Sequence, residues 1–490
     1  MSSSRCPLHC SHVHSFSRRT FLQGSAGIVA GSVLIPGMND VSAATIKPAG
    51  PGSFYTPRIR AAFVRRKGEY GMRWPGAVYD GEAARKKYVE GLSKTAKEYG
   101  MDLAIRDMPF YNLDETKAWI KQAEEEKVDG LFLVVLDRQD HSWPSAQLVA
   151  KSSIRSIIFS PLGTSFTTNT VGLAHATGCV VYSTNDFAQA QFGLKMLQAA
   201  ARMQRTRCLV IRGSKGYDTT LADTGIGLRY VPAKTFIDCY NTTQETPEMG
   251  KMADYYLKQA QGCSGPSRQD VVNGVRSYYV AGKLLQEHEC DAITMDCLGA
   301  LGRLKVSLPC LAWSRMNDDG IPAICEADTG AVASQILVQL LFDRPGFQQD
   351  PVADTADDTI IGAHCCCPTK LNGFDKGPEP FDLKHHHGMR DATPRTIWRV
   401  GQRVTSVDLL LGGKQGDKQQ PSKVLISVGS VADNMSVPPS GGCVVSVKVK
   451  FDGGHEVLTF PGFHQIFFYG DCLREVRDFC QLCGFQAQIA

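Results

Sequence analysis

The sequence lacks an excess of charge of either sign: 53 Lys and Arg stand against 49 Asp and Glu, a net +4 over 490 residues. A chain that tracks a nucleic-acid backbone gathers basic side chains on one face, so nucleic acid is not an expected partner. Beyond the N-terminus the sequence also lacks any apolar run of the roughly 20 residues a bilayer-spanning helix needs. Internal repeats are absent, and the only biased tract is the polar turn 412–423. With 43% hydrophobic and 21% charged residues, long disorder, collagen and coiled coil are all excluded. What is not scarce is length and cysteine. At roughly 100 to 200 residues per domain the chain predicts about three domains. Its 17 cysteines run from Cys6 to Cys483 without the regular spacing of a secreted disulfide framework. An odd number leaves some of them free or metal-bound in a monomer.

Residues Ser17-Arg18-Arg19-Thr20-Phe21-Leu22 resemble the twin-arginine export consensus. A mildly apolar, glycine-rich run from Gly24 to Pro36 follows, too short for a membrane span, and Ser42-Ala43-Ala44 supplies the small residues a signal peptidase needs. Residues 1–44 are therefore expected to be a removable signal peptide. The competing reading is an apolar N-terminal helix behind a chance arginine pair. The signal implies a periplasmic or otherwise exported protein that meets the twin-arginine translocation machinery, which carries proteins already folded.

From Arg58 onward, short apolar runs alternate with helical ones. Ile59–Val64, Met101–Ile105, Val128–Leu136 and Ile154–Phe159 read as strands, and Gly81–Tyr99 and Asp114–Glu126 as helices. Continuous apolar strands separated by helices mean parallel βαβ units. The pattern restarts at Cys179–Tyr182, with helices at 186–203, 247–261 and 268–288 and strands at 208–211 and 291–296. After residue 355 the rhythm becomes β-type, with alternation clear from Val444 to Phe451 and strands also expected at 395–400 and 457–460. The expected fold class is α/β plus β: an N-terminal α/β domain over 56–172, a second over 173–355, both Rossmann-like, and a C-terminal antiparallel β-barrel-like domain over 356–490 that ends in a helix. The two α/β domains taken alone also describe a periplasmic sugar-binding protein.

Three segments place hard metal ligands at element edges. Glu326 follows an apolar strand and opens a helix, Asp350 precedes Pro351 in the loop after that helix, and His464 lies in Pro461-Gly462-Phe463-His464-Gln465 between late strands. Each also has a plain reading: a first-turn carboxylate favoured by the helix dipole, ordinary Asp-Pro turn chemistry, and a histidine at a strand end.

The flanks of these residues resemble the fucose isomerase and arabinose isomerase superfamily. Pro309-Cys310-Leu311-Ala312, Ser314-Arg315, Gly320-Ile321-Pro322-Ala323 and Cys325-Glu326 look like the segment carrying its first metal carboxylate; Gly462-Phe463-His464-Gln465 before Phe468-Tyr469-Gly470-Asp471 looks like its C-terminal metal histidine. Asp350 is similarly spaced to the second acidic ligand, and Gly362-Ala363-His364 with Pro368 is similar to a segment contributing a further histidine. The resemblance implies aldose–ketose isomerisation through an enediol, with Mn²⁺ or another divalent metal held by Glu326, Asp350 and His464. It makes Glu326 and Asp350 the acid–base pair as well, and implies a homo-oligomer acting on a small sugar. His364 is a further ligand, a support behind the ligands, or a structural residue; these stay open. Arg73 and Trp74 are candidate sugar contacts, since Trp stacks on sugar rings and Arg donates to hydroxyls, with a packed loop aromatic as the alternative. A non-catalytic, exported carbohydrate-binding protein is the other functional reading. Cys365-Cys366-Cys367 and His385-His386-His387 offer zinc-type ligands without C-x-x-C spacing, while Cys480 and Cys483 read as buried structural thiols.

Overall fold

The computed structural model describes residues 45–70, 79–386, 390–415, 418–435, 443–454 and 456–490. The expected signal peptide, Arg73, Trp74 and His387 lie outside the described residues.

The first sheet has five parallel strands in the order Asp102–Ile105, Arg58–Val64, Gly130–Val135, Ser156–Ser160, Cys179–Ser183. Its centre, Gly130–Val135, is buried on both faces along its whole length, as its unbroken apolar run requires. Helix Gly81–Glu98 starts where the Asp80 carboxylate accepts from the Glu82 and Ala83 amides. One expectation is corrected here: Cys179–Ser183 does not open a second unit but pairs with Ser156–Ser160 as an edge strand of the first sheet. The Gly- and Thr-rich stretch before it is a crossover within the sheet, holding the short helix Thr167–Thr170, and composition does not separate such a crossover from a linker.

The second sheet runs Ala323–Cys325, Ala292–Met295, Arg207–Ile211, Gly227–Val231 in parallel, with Tyr217–Thr220 antiparallel at its edge. Helices Phe187–Met203 and Thr329–Phe342 are buried on most of their faces and pack against each other.

The C-terminal part is a closed barrel of six antiparallel strands: Phe347–Asp354, Thr359–His364, Val445–Phe451, Lys423–Met435, Arg403–Leu410 and Gln465–Tyr469, the last pairing back to the first. Phe347, Phe467, Tyr469, Val447 and Val449 fill it. Gln486–Ile489 adds a parallel strand to Lys423–Met435. Three expectations shift. Asp350 is not in a loop but within a barrel strand; the pairing of that strand with Gln465–Tyr469 stops at Gln349, so the missing amide hydrogen of Pro351 interrupts no ladder on that side. The expected strand at 457–460 is a 3₁₀ turn, Val457–Thr459, with Leu458 exposed. The strand expected at 395–400 is Arg390–Thr396, paired with Phe381–His386 in a small separate sheet.

Candidate metal centre

Glu326 sits just past the C-terminal end of strand Ala323–Cys325, where open α/β sheets place their ligand sites. It is followed by Ala327 and then Asp328, the N-cap of helix Thr329–Phe342. The turn is made by two consecutive non-glycine residues in the left-handed region, Glu326 at φ 66° and Ala327 at φ 55°. That conformation is unfavourable for side chains with a Cβ and collects at functional positions.

The other candidates come from the barrel rim. The ladder sets Asp350 opposite Ala363, beside His364, and sets Gln349 opposite Gln465, so that His464 follows Asp350 on the neighbouring strand. Gln348 ties this rim to the sheet, its side-chain oxygen accepting from the Cys325 amide at 2.8 Å. Gly462 at φ 91° lets the chain turn into His464, itself at φ 53°. A Cβ on Gly462 would lie 2.6 Å from an Asp408 carboxylate oxygen and 2.8 Å from the Gln465 amide nitrogen, so the approach also depends on glycine having no side chain.

Glu326, Asp350 and His464 meet. His464 Nε2 lies 3.4 Å from a Glu326 oxygen and 3.2 Å from Asp350 Oδ1, and His364 Nε2 lies 3.9 Å from the other Glu326 oxygen. The rings of His364 and His464 are 5.7 Å apart. Both histidines are buried, while the two carboxylates are about one-third exposed. His464 Nε2, His364 Nε2 and Asp350 Oδ1 are buried atoms that make no hydrogen bond. Orphaned polar atoms converging on one point leave a place for an ion or a water. Glu326, His364 and His464 form a group able to hold a metal ion.

The two histidines differ in what they present. The His464 Nδ1–H donates to Asp328 Oδ2 at 2.8 Å, which leaves Nε2 facing Glu326 and Asp350 as the nitrogen able to take a metal. His364 is set the other way. The Cys365 backbone N–H, always a donor, points at His364 Nδ1 from 2.9 Å, so in the neutral ring the proton sits on Nε2 and is aimed into the site. Burial opposes a charged His464 ring, but the bond to Asp328 and the nearby carboxylates of Asp350 and Glu326 outweigh this and push its pKa up to about 11. The His464 ring beside it in turn holds the Glu326 carboxyl below its ordinary range. The carboxylates thus require a positive charge between them, which the ring's proton supplies until a cation takes its place.

Asp328 is the residue that sequence reasoning missed. Burial works against its ionisation, yet the His464 bond and the amides of the helix it caps hold its carboxyl below the usual range. One oxygen accepts from the Ala331 amide at 2.9 Å, which an Asp before a helix announces; the other orients His464, which nothing local announces. Arg73 and Trp74 lie outside the described residues. No family model matches this chain, and no curated protein matches its sequence.

Proposed function

We propose that the chain is an exported, Mn²⁺-dependent aldose–ketose isomerase of the fucose and arabinose isomerase type, with two Rossmann-like domains and a barrel, acting as a homo-oligomer on a small sugar. The observation that supports this most is the meeting of Glu326, Asp350 and His464 around unsatisfied buried atoms where a parallel sheet edge faces a barrel rim. Two carboxylates and an imidazole form a hard donor set that suits Mn²⁺. When bound, the ion supplies Lewis acidity toward adjacent oxygens of an open-chain sugar.

The chain's own residues do the rest. Asp328 fixes the His464 ring so that Nε2 faces the ion. Glu326 and Asp350 come from separate elements and flank the same point, so one carboxylate removes the C2 proton of the aldose while the other carboxyl serves the oxygens. As O1 is protonated the enediol forms; O2 then gives up its proton, and C1 receives one to complete the ketose, with no net change in protons or electrons. The His364 Nε2–H is a donor to a substrate oxygen rather than a ligand. Left-handed strain at Glu326 and Ala327 holds the carboxylate at the sheet edge instead of letting it join the helix.

The test is solvent deuterium exchange. A library of aldoses incubated with the mature protein and Mn²⁺ in heavy water is expected to yield at least one sugar labelled at C1 or C2, with labelling abolished in Glu326→Gln and Asp350→Asn. Sugar-induced thermal stabilisation with no label in any bound sugar would establish the non-catalytic carbohydrate-binding reading instead.

A further inference from the structure

Behind the oxygen-and-imidazole centre lies a second group of ligands, soft in character. A cavity of about 20 Å³, the size of a single ion or water, is lined by the thiols of Cys297, Cys310, Cys325, Cys365 and Cys443 and by His386, and it borders the first centre at Glu326 and His364. The ligand atoms of Cys310, Cys365 and His386 lie within 4.8 Å of one another, and all three residues are buried. The Cys365 thiol neighbours those of Cys310 and Cys443 in the lining of this cavity. The described cysteines are all free thiols. The four residues belong to separate elements. Cys310 is the first residue of helix Cys310–Asp318, Cys365 follows barrel strand Thr359–His364, His386 ends strand Phe381–His386, and Cys443 shortly precedes barrel strand Val445–Phe451.

We propose that Cys310, Cys365, Cys443 and His386 bind one Zn²⁺ ion as a closed Cys₃His site, separate from the Glu326 centre. Three thiolates and one imidazole are a normal structural zinc set, with metal–sulfur bonds of about 2.3 Å and metal–nitrogen bonds of about 2.0 Å; the ligand atoms of Cys310, Cys365 and His386, mutually within 4.8 Å, need only a small contraction to reach them, and Cys443 lines the same cavity. Cys310 at a helix N-terminus is placed to ionise, because the unpaired amides there favour a thiolate. The other thiols of the cavity, Cys297 and Cys325, lie toward Cys366 and His364. Cys325, His364 and Cys366 form a further buried group of ligand atoms, but His364 Nδ1 there already takes the Cys365 amide hydrogen at 2.9 Å, which makes it the poorer donor. Zinc at the four residues pins the helix, the small sheet and the barrel together. It also fixes Cys365, whose amide sets the orientation of His364 in the neighbouring centre.

The mature protein, purified without chelators, is expected to carry one zinc per chain by elemental analysis. Glu326→Gln with His464→Ala should leave that zinc in place, whereas Cys310→Ser with Cys365→Ser should remove it. Exchange with Co²⁺ gives a readout that needs no variant: an intense near-ultraviolet thiolate-to-cobalt band together with the visible bands of tetrahedral Co²⁺. Full zinc retention in the double cysteine variant would overturn the assignment, as would a cobalt spectrum without the thiolate band. So would a Cys310–Cys365 disulfide found by mapping the unreduced, denatured protein.

Discussion

Replacing Asp328 by Asn separates the two tasks that one carboxylate performs. Asp328 caps helix Thr329–Phe342 through one oxygen, 2.9 Å from the Ala331 amide, and orients His464 through the other, 2.8 Å from Nδ1. Asn is as good an N-cap as Asp, so its single side-chain oxygen keeps the cap and the stability of the helix. The amide NH₂ then occupies the place of the oxygen that faced Nδ1. A donor in that place favours the ring form with the proton on Nε2, which takes away the lone pair offered toward Glu326 and Asp350. Loss of such an orienting partner costs about 10- to 100-fold in metal affinity, or roughly 1.4 to 2.8 kcal/mol. Titration calorimetry with Mn²⁺ on the mature protein should therefore show a dissociation constant raised by that factor in Asp328→Asn. Without metal the variant also loses the carboxylate that helps hold the His464 ring charged, so the unfolding free energy from urea titration should fall, by about 1 to 3 kcal/mol. Asp328→Ala is the control: it loses the cap as well, at about 1 kcal/mol. Unchanged Mn²⁺ affinity in Asp328→Asn would refute the idea that His464 Nε2 is presented as a ligand by this bond.

His364→Gln, which keeps a side-chain donor, should shift Mn²⁺ affinity less than about threefold, whereas His464→Ala should lower it at least 100-fold, the loss expected for a ligand rather than its orienting partner; equal losses in calorimetry would make His364 a ligand. Gly462→Ala forces a Cβ against Asp408 and Gln465 at φ 91° and should lower stability by about 1 to 3 kcal/mol, read as a lower urea midpoint at unchanged slope; an unaltered midpoint would show that the turn into His464 is not constrained. Asp318 is buried, and burial raises its pKa from 3.8 to about 6 even though the Thr369 and Lys370 amides bond it. Between those two values the folded chain holds a proton that the unfolded chain has released, so stability falls as pH rises from about 4 to 6. The cost is on the order of 3 kcal/mol at about 1.36 kcal/mol per pKa unit. Asp318→Asn should flatten that part of the urea-midpoint profile, and an identical profile would count against the burial argument.

The strands and helices set by short-range rules were readable from the sequence: Gly130–Val135 from its apolar run, and helices Gly81–Glu98 and Arg268–Glu287 from their helical pattern. What failed was assignment of elements to sheets. Cys179–Ser183 follows a glycine-rich crossover and joins the earlier sheet, and Asp-Pro at 350–351 stands inside a barrel strand. Both outcomes depend on partners far along the chain, which periodicity does not encode. The same division runs through the site. Glu326, Asp350 and His464 were each visible as candidate ligands, but Asp328 was not, because the partner that gives it a role at the site is 136 residues away. The thiols of the second cluster are scattered over Cys310 to Cys443 and carry no recognisable spacing.

That dispersion is itself informative about where the chemistry can arise. Glu326 and Asp328 belong to the edge of the second sheet, whereas Asp350, His364 and His464 belong to three adjacent barrel strands or their ends. Neither half contains a complete donor set. The amide of Gln348 bonds the Cys325 backbone, joining the residue before Glu326 to the strand that carries Asp350. The strained pair Glu326 and Ala327 turns the first carboxylate toward the rim, and Gly462 turns His464 toward it from the other side. A metal that binds the docked arrangement more tightly than either half stabilises it, by up to RT ln(1 + c/Kd) at free metal concentration c, so metal affinity and the union of barrel and sheet rise and fall together.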